Sequence, residues 1–211
     1  HAWEGCGVCA WVCPSGAATL EEADCGEIML SETPAGPLVH AALFAGRENS
    51  GRLVTAVREK ASNLGQSIDA QWVLIDGSPG VACPVIASLT GADLALIVAE
   101  PTPAGLQGME RALQTALHFG IESRVCLNKA DLNEEMAEGI VQSAEKSGAR
   151  VIGKIPFDPK AVDAARQGKP LIEMKDSPAA REIRRMSEVL FKELDFQETG
   201  GRLEKTMKGG M

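Results

Sequence analysis

Arg124-Val125-Cys126-Leu127-Asn128-Lys129-Ala130-Asp131 decides the fold. Val125, Cys126 and Leu127 form a short unbroken apolar run, the pattern of a strand buried on both faces, and Asn128 closes it with a polar residue. Asn128 to Asp131 spell N-K-x-D. At the carboxyl end of a strand, where open α/β sheets bind their ligands, Asn128 and Asp131 can hydrogen-bond a purine edge while the Lys129 stem lies against the base. On residue chemistry alone this spacing favours guanine, because Asp131 would accept from two N–H donors that adenine does not present.

Outward from this run the chain alternates. Trp72–Asp76, Leu94–Ala99 and Val151–Ile155 are further short runs rich in Val, Ile and Leu, bounded by Gly, Pro, Asp or Asn. Between and after the four runs, helical spacing covers Pro84–Thr90, Leu106–His118, Asn133–Ser147 and Pro159–Gln167. A last helix over Pro178–Leu194 puts Ile183, Met186, Leu190 and Leu194 on one stripe. Strands alternating with helices predict an α/β fold, a mostly parallel sheet with flanking helices. A further helix starts near Asn49-Ser50 and carries Leu53, Val54, Val57 and Leu64 on one side. From Thr199 the chain is Gly-rich and polar and reads as a mobile tail.

Two more strand ends join the candidate site. Trp72–Asp76 ends in an acid followed by Gly77-Ser78-Pro79-Gly80, where a carboxylate can sit beside magnesium and a Gly turn lets a backbone N–H approach a terminal phosphate. An ordinary strand-to-loop turn is the plain alternative. Gly153-Lys154-Ile155-Pro156-Phe157-Asp158 can pass backbone groups beside the base, with a simple Pro turn as its alternative. The phosphate loop G-x-x-x-x-G-K-[ST] does not occur, so the charge-assisted cradle for the α- and β-phosphates is missing from these residues. With His1 in place of an initiating Met, the chain reads as a piece of a longer product.

Cys6, Cys9 and Cys13, followed by Pro14, read C-x2-C-x3-C-P, the last three cysteines of the bacterial ferredoxin run C-x2-C-x2-C-x3-C-P. A tight loop of this kind brings thiolates and free backbone N–H groups around one cluster. Trp3 stands where the first ligand of the run would be, so the segment offers three thiolates to a four-ligand cluster. A structural zinc site or a loop that binds nothing stays open as an alternative. Cys25, Cys83 and Cys126 lack a neighbouring ligand at metal spacing and read as buried or half-buried small residues.

Composition narrows the partners. A formal charge of −8 with no basic stripe gives nucleic acid no electrostatic footprint, so nucleic acid is excluded as a partner. The longest apolar runs, such as Leu94–Ala99, fall far short of the roughly 20 residues that cross a bilayer, so membrane insertion is not expected. A soluble cytoplasmic protein is the expectation.

The succession of the Cys loop, Gly36-Pro37, Glu48-Asn49-Ser50-Gly51, Ile75–Pro84, Glu100-Pro101-Thr102-Pro103, Asn128–Asp131 and Gly153–Pro156 resembles the MinD/ParA/Mrp superfamily of P-loop ATPases that carry an inserted ferredoxin domain. The likeness runs from about residue 3 to residue 195. It implies a partial ferredoxin-like segment over 1–31, a connector with a helix over 32–70, the C-terminal half of an ATPase domain over 71–195 and a tail over 196–211. It further implies ATP or ADP with magnesium, and a 4Fe-4S cluster on Cys6, Cys9 and Cys13. Asp76 would sit beside the metal, with Gly77, Pro79 and Gly80 at the terminal phosphate and Asn128, Lys129, Asp131 and Pro156 at the base. ATP-dependent pairing of two subunits and a redox or iron–sulfur partner are also implied. The reading from a different class is a non-catalytic iron–sulfur carrier or scaffold with a degenerate nucleotide domain.

Overall fold

The computed structural model describes residues 7–21, 24–47, 51–80 and 82–208, in one unit ending at Thr90 and a second beginning at Gly91.

The first unit opens with a single helical turn, α1 (Val8–Trp11). A hairpin comes next, β1 (Gly26–Thr33) against β2 (Gly36–Leu43), paired antiparallel from Gly26↔Leu43 to Thr33↔Gly36. The Thr33 hydroxyl closes its turn, donating to the Gly36 carbonyl at 2.6 Å and accepting the Ala35 N–H at 3.2 Å. Ser31 and His40 meet across the hairpin at 2.9 Å, which gives that histidine a structural partner. Helix α2 (Gly51–Ser67) packs on β2 and on α3 (Cys83–Leu89). The last carbonyls of a helix lack intrahelical donors, and here Arg58 of α2 supplies them, donating to Ala87 at 2.5 Å and to Thr90 at 2.7 Å.

One expected strand is not formed. Residues 72–78 form no regular element and join neither sheet. Leu74 is 97% exposed and Val73 49%. A central strand needs a ladder neighbour and cover on its faces, and among the described residues nothing supplies a ladder for this run.

The second unit is a three-stranded parallel sheet in the order β3 (Leu94–Ala99), β4 (Glu122–Asn128), β5 (Arg150–Ile155). Its connections are α4 (Pro103–His118) and α5 (Glu134–Lys146). After β5 come α6 (Lys160–Arg166), a 3-10 turn (Leu171–Glu173) and α7 (Pro178–Lys208). Each crossover helix starts with a side-chain cap: Thr102 accepts the Gly105 N–H and Asn133 accepts the Met136 N–H, both at 3.0 Å.

The sheet is covered on both faces. Val125 and Leu127 point to one side with Ala99, Met109, Leu113 and Ile140; Cys126 points to the other with Ile152 and Met186 of α7. Val125, Cys126 and Leu127 are all fully buried, which explains their unbroken apolar run. Helix α7 is further tied down by Glu193, whose carboxylate accepts from Arg124 at 2.7 Å and also from Arg150. This helix, expected to end at Leu194, continues to Lys208. Two interior glycines, Gly200 and Gly201, disfavour helix by about 1 kcal/mol each, yet extending a formed helix avoids the nucleation cost. Among the described residues no helix is long and apolar enough to cross a membrane.

Candidate functional site

In the second unit the carboxyl ends of β4 and β5 come together. Asn128 closes β4 and is half-buried; Lys129 then takes a left-handed backbone conformation, φ 54°. That conformation costs a non-glycine residue about 1 kcal/mol or more. It turns the chain so that the Ala130 N–H reaches the Ile155 carbonyl at 3.0 Å. One residue further, the Asp131 carboxylate accepts the Phe157 N–H through Oδ1 at 2.6 Å. Two hydrogen bonds therefore lace the loop after β4 to the loop after β5, with Pro156 between their anchor points.

Lys129 faces the other neighbour. Its Nζ pairs with Glu100, just past the end of β3, at 2.7 Å. Both side chains are well exposed, so the pair contributes about 0–1 kcal/mol and serves mainly to place the two strand ends. The turn below it is tight: a Cβ on Gly105 would lie 2.1 Å from the Glu100 carbonyl oxygen, so only glycine fits there.

An open cavity of about 410 Å³ adjoins this edge, lined by Ala130, Asp131, Glu134, Glu138, Lys154 and Pro156. A second, of about 500 Å³, lies between the 3-10 turn and the start of α7, among Lys175, Asp176, Arg181 and Arg184, and none of the residues expected at the nucleotide or the cluster lines it. Asp158 closes the Gly153–Asp158 run, in which sequence reasoning assigns its side chain no role of its own. It is buried, and its carboxylate accepts from the Ser177 hydroxyl at 2.5 Å and the Lys160 N–H at 2.9 Å. The Ser177 bond is the main reason its carboxyl is held below the usual range, with the backbone N–H groups adding to it. Ser177 in turn accepts the Ala180 N–H at 2.9 Å, so this pair locks the loop after β5 to the start of α7. An acid one residue after Pro156-Phe157 was its only sequence signal.

Asp76, Gly77, Pro79 and Gly80 belong to the first unit. Asp76 is exposed at the end of its apolar run, a position from which a carboxylate is accessible to a solvated cation. Gly80 has φ 97°, a backbone state that side chains disfavour, so the turn requires glycine there. Ala82, at the N-terminal boundary of α3, makes no side-chain capping bond.

At the cysteine loop, Cys6 lies outside the described residues. Cys9 is exposed within α1, and Cys13 comes just after that turn. The Cys13 thiol contacts the Ser15 hydroxyl at 3.5 Å. That hydrogen bond first, and the backbone N–H groups of Ala18, Ser15 and Ala17, lower its pKa to about 7. This is the surrounding a ligating thiolate needs. Among the described residues no three Cys, His, Asp or Glu side chains converge as a metal-holding group. Cys126 is buried as its apolar context suggests, and burial pushes its thiol up to about 11. Cys25 and Cys83 are exposed, contrary to expectation: Cys25 sits just before the hairpin, and Cys83 is the first residue of α3, ahead of the buried Val85 and Ser88.

No family model matches the chain. An uncharacterized protein of Methanocaldococcus jannaschii is 33% identical over 97 residues, 46% of this chain and 34% of that protein. An uncharacterized ATP-binding protein of the same organism is 30% identical over 122 residues, 57% and 46% of the two chains. The iron-sulfur cluster carrier protein of Pyrococcus horikoshii is 27% identical over 154 residues, 64% and 52%. The chain thus spans about half, or less, of the length of the curated relatives it matches. Among solved structures, the MinD cell division protein of Aquifex aeolicus superposes with a TM-score of 0.59 at 21% identity, covering 77% of this chain and 68% of that one. The chain therefore shares its fold with MinD and is similar in sequence, over part of their length, to an ATP-binding protein and to iron–sulfur cluster carrier proteins.

Proposed function

We propose that the chain carries the base-binding and phosphate-responding part of a MinD-like ATPase coupled to an iron–sulfur segment used in electron transfer or cluster handling. The observation that carries this is the lacing of Asn128–Asp131 to Ile155–Phe157 at the carboxyl edge of a parallel sheet, beside an open cavity. The ATP-binding and cluster-carrier names of relatives support the two halves of the reading.

In this reading Asn128 and the backbone at Pro156 contact the purine, and Lys129 and Asp131 shape the edge. Asp76 holds magnesium, which neutralises phosphate charge when bound. Pro79 fixes the turn in which Gly77 and Gly80 offer backbone N–H groups to the terminal phosphate. Helix α3 comes after that turn, with its carboxyl end fixed by Arg58 and its start without a side-chain cap, so the turn can reset the helix start while its far end stays put. Cys9 and Cys13, with Cys6, supply thiolates to a 4Fe-4S cluster, which serves as an electron or cluster store. A homodimer, an iron–sulfur or redox partner and a cytoplasmic setting complete the proposal.

The test is ATP hydrolysis by the protein together with a polypeptide supplying the phosphate loop. Turnover that disappears in Asp76→Asn supports the reading; turnover unchanged by that substitution contradicts it. The carrier alternative draws on the thiolate-favouring surroundings of Cys13. Anaerobic purification separates the two: a brown, redox-active sample without ADP protection against heat unfolding favours the carrier.

A further inference from the structure

We infer that Glu182 and Arg185 of α7 form a guard on the outer edge of β5, standing where a neighbouring strand's backbone would lie and so barring a second copy of this chain from pairing there. Among the described residues β5 is an edge strand of the parallel sheet, with β4 on one side only. The bare edge of such a strand carries unpaired N–H and C=O groups and is a ready template for another strand.

The register slips between Val125 and Cys126, so Ile152 is passed over in the ladder with β4. Arg185 reaches its carbonyl instead, donating through Nη2 at 3.1 Å. Two residues on, the Lys154 N–H donates to Glu182 Oε1 at 3.3 Å. The guanidinium and the carboxylate also bind each other, Nη2 to Oε1 at 2.5 Å and Nε to Oε2 at 2.9 Å. A donor for one residue and an acceptor for the next but one is what an adjoining strand would present. The Arg185 contact is the main cause holding the Glu182 carboxyl below the usual range, so it is an ionised acceptor at neutral pH. Helix α7 comes this close for two reasons. A Cβ on Gly153 would lie 2.9 Å from the Met186 sulfur, so a residue without a side chain lets the helix settle on the strand. Ser177, just before the helix, is bonded at 2.5 Å to Asp158, just past β5. Charged side chains are the usual defence of an edge, but here they are compensated: Arg150 is matched by Glu193, and the Lys154 ammonium lies 3.8 Å from Glu138. What opposes two β5 edges meeting about a two-fold axis is therefore the pair on α7.

The test compares the 211-residue chain with the double variant Glu182→Ala, Arg185→Ala, by sedimentation velocity over a concentration series and by hydrogen exchange at the Lys154 amide. In the unsubstituted chain, exchange at Lys154 should not depend on protein concentration. In dilute double variant it should be about two- to tenfold faster, the net worth of one hydrogen bond. As concentration rises it should slow again, in step with a sedimentation coefficient that climbs beyond any rise in the unsubstituted chain. Glu182→Gln keeps an acceptor for the Lys154 N–H and leaves Arg185 in place, so it should sediment like the unsubstituted chain; association of this variant as strong as that of the double variant would mean that lost charge, and not an opened edge, is the cause, and overturns the inference. A folded double variant that sediments like the unsubstituted chain at every concentration overturns it too, as does association that leaves exchange at Lys154 fast. If the double variant does not fold, Arg185→Ala alone decides on the same two readouts.

Discussion

Leu127 and Leu74 lie in two apolar runs of similar composition, one closing in Asn and the other in Asp, and they have opposite surroundings. Leu127 is fully buried in the middle strand of a three-stranded sheet with helices on both faces; Leu74 is 97% exposed in a segment that joins no sheet. An apolar run specifies that a strand would be stable if it had neighbours. It does not supply them. For β4 the neighbours are β3 and β5, each one crossover away in the chain; among the described residues 72–78 pairs with no strand. The candidate chemistry divides the same way, with a laced edge after β4 and β5 and an open turn after Asp76.

The sharpest way to break this comparison is the same substitution at both places. Leu127→Ala should lose about 2–5 kcal/mol of stability through lost burial and a cavity, whereas Leu74→Ala should stay within about 0.5 kcal/mol, both read from urea unfolding followed by circular dichroism. Comparable losses at the two sites would mean that the 72–78 segment is covered in solution. A smaller effect comes from the far face of the sheet. Glu193→Gln removes the carboxylate shared by Arg124 and Arg150, and since only Arg124 is well sheltered, a loss of about 1–2 kcal/mol is expected, again by urea unfolding.

Acid should act on the second unit through Asp158. Its carboxyl has a lower pKa folded than unfolded, so over this range the unfolded chain binds more protons and stability rises with pH. The contribution is complete above the unfolded value of about 4 and is lost as pH falls through the folded value below it. Asp158→Asn should flatten that acid limb in unfolding curves taken across it, while an unchanged limb would show that the Ser177–Asp158 pair contributes nothing. Thiol labelling has no stability effect and is the finest probe. At pH 7 Cys13, its pKa lowered to about 7 by the Ser15 hydroxyl, should react with iodoacetamide faster than Cys9, and Cys126, buried and pushed up to about 11, should react only on unfolding. Equal rates for Cys9 and Cys13, mapped by mass spectrometry, would remove the hydrogen-bonded thiolate.

Much of the second unit is legible in the chain because a doubly covered parallel sheet writes its strands as unbroken apolar runs and its helices with caps such as Thr102 and Asn133. The first unit is harder to read. The hairpin from Gly26 to Leu43 alternates only loosely, with Pro37 and His40 inside its second strand, and its register depends on a Thr33 turn that composition does not announce. At the site, the motif residues Asn128 to Asp131 stand out, but what their side chains do does not. That Asp131 bonds Phe157 and Lys129 bonds Glu100 depends on how closely three strand ends approach, a property of the packed sheet and of no single segment.

The most direct test of the central claim is a titration of the labelled chain with magnesium ADP, reading the amides of Asn128–Phe157. If the β4–β5 edge takes the base, these resonances shift along a single saturable binding curve. Resonances at that edge that stay unshifted at millimolar nucleotide would contradict it.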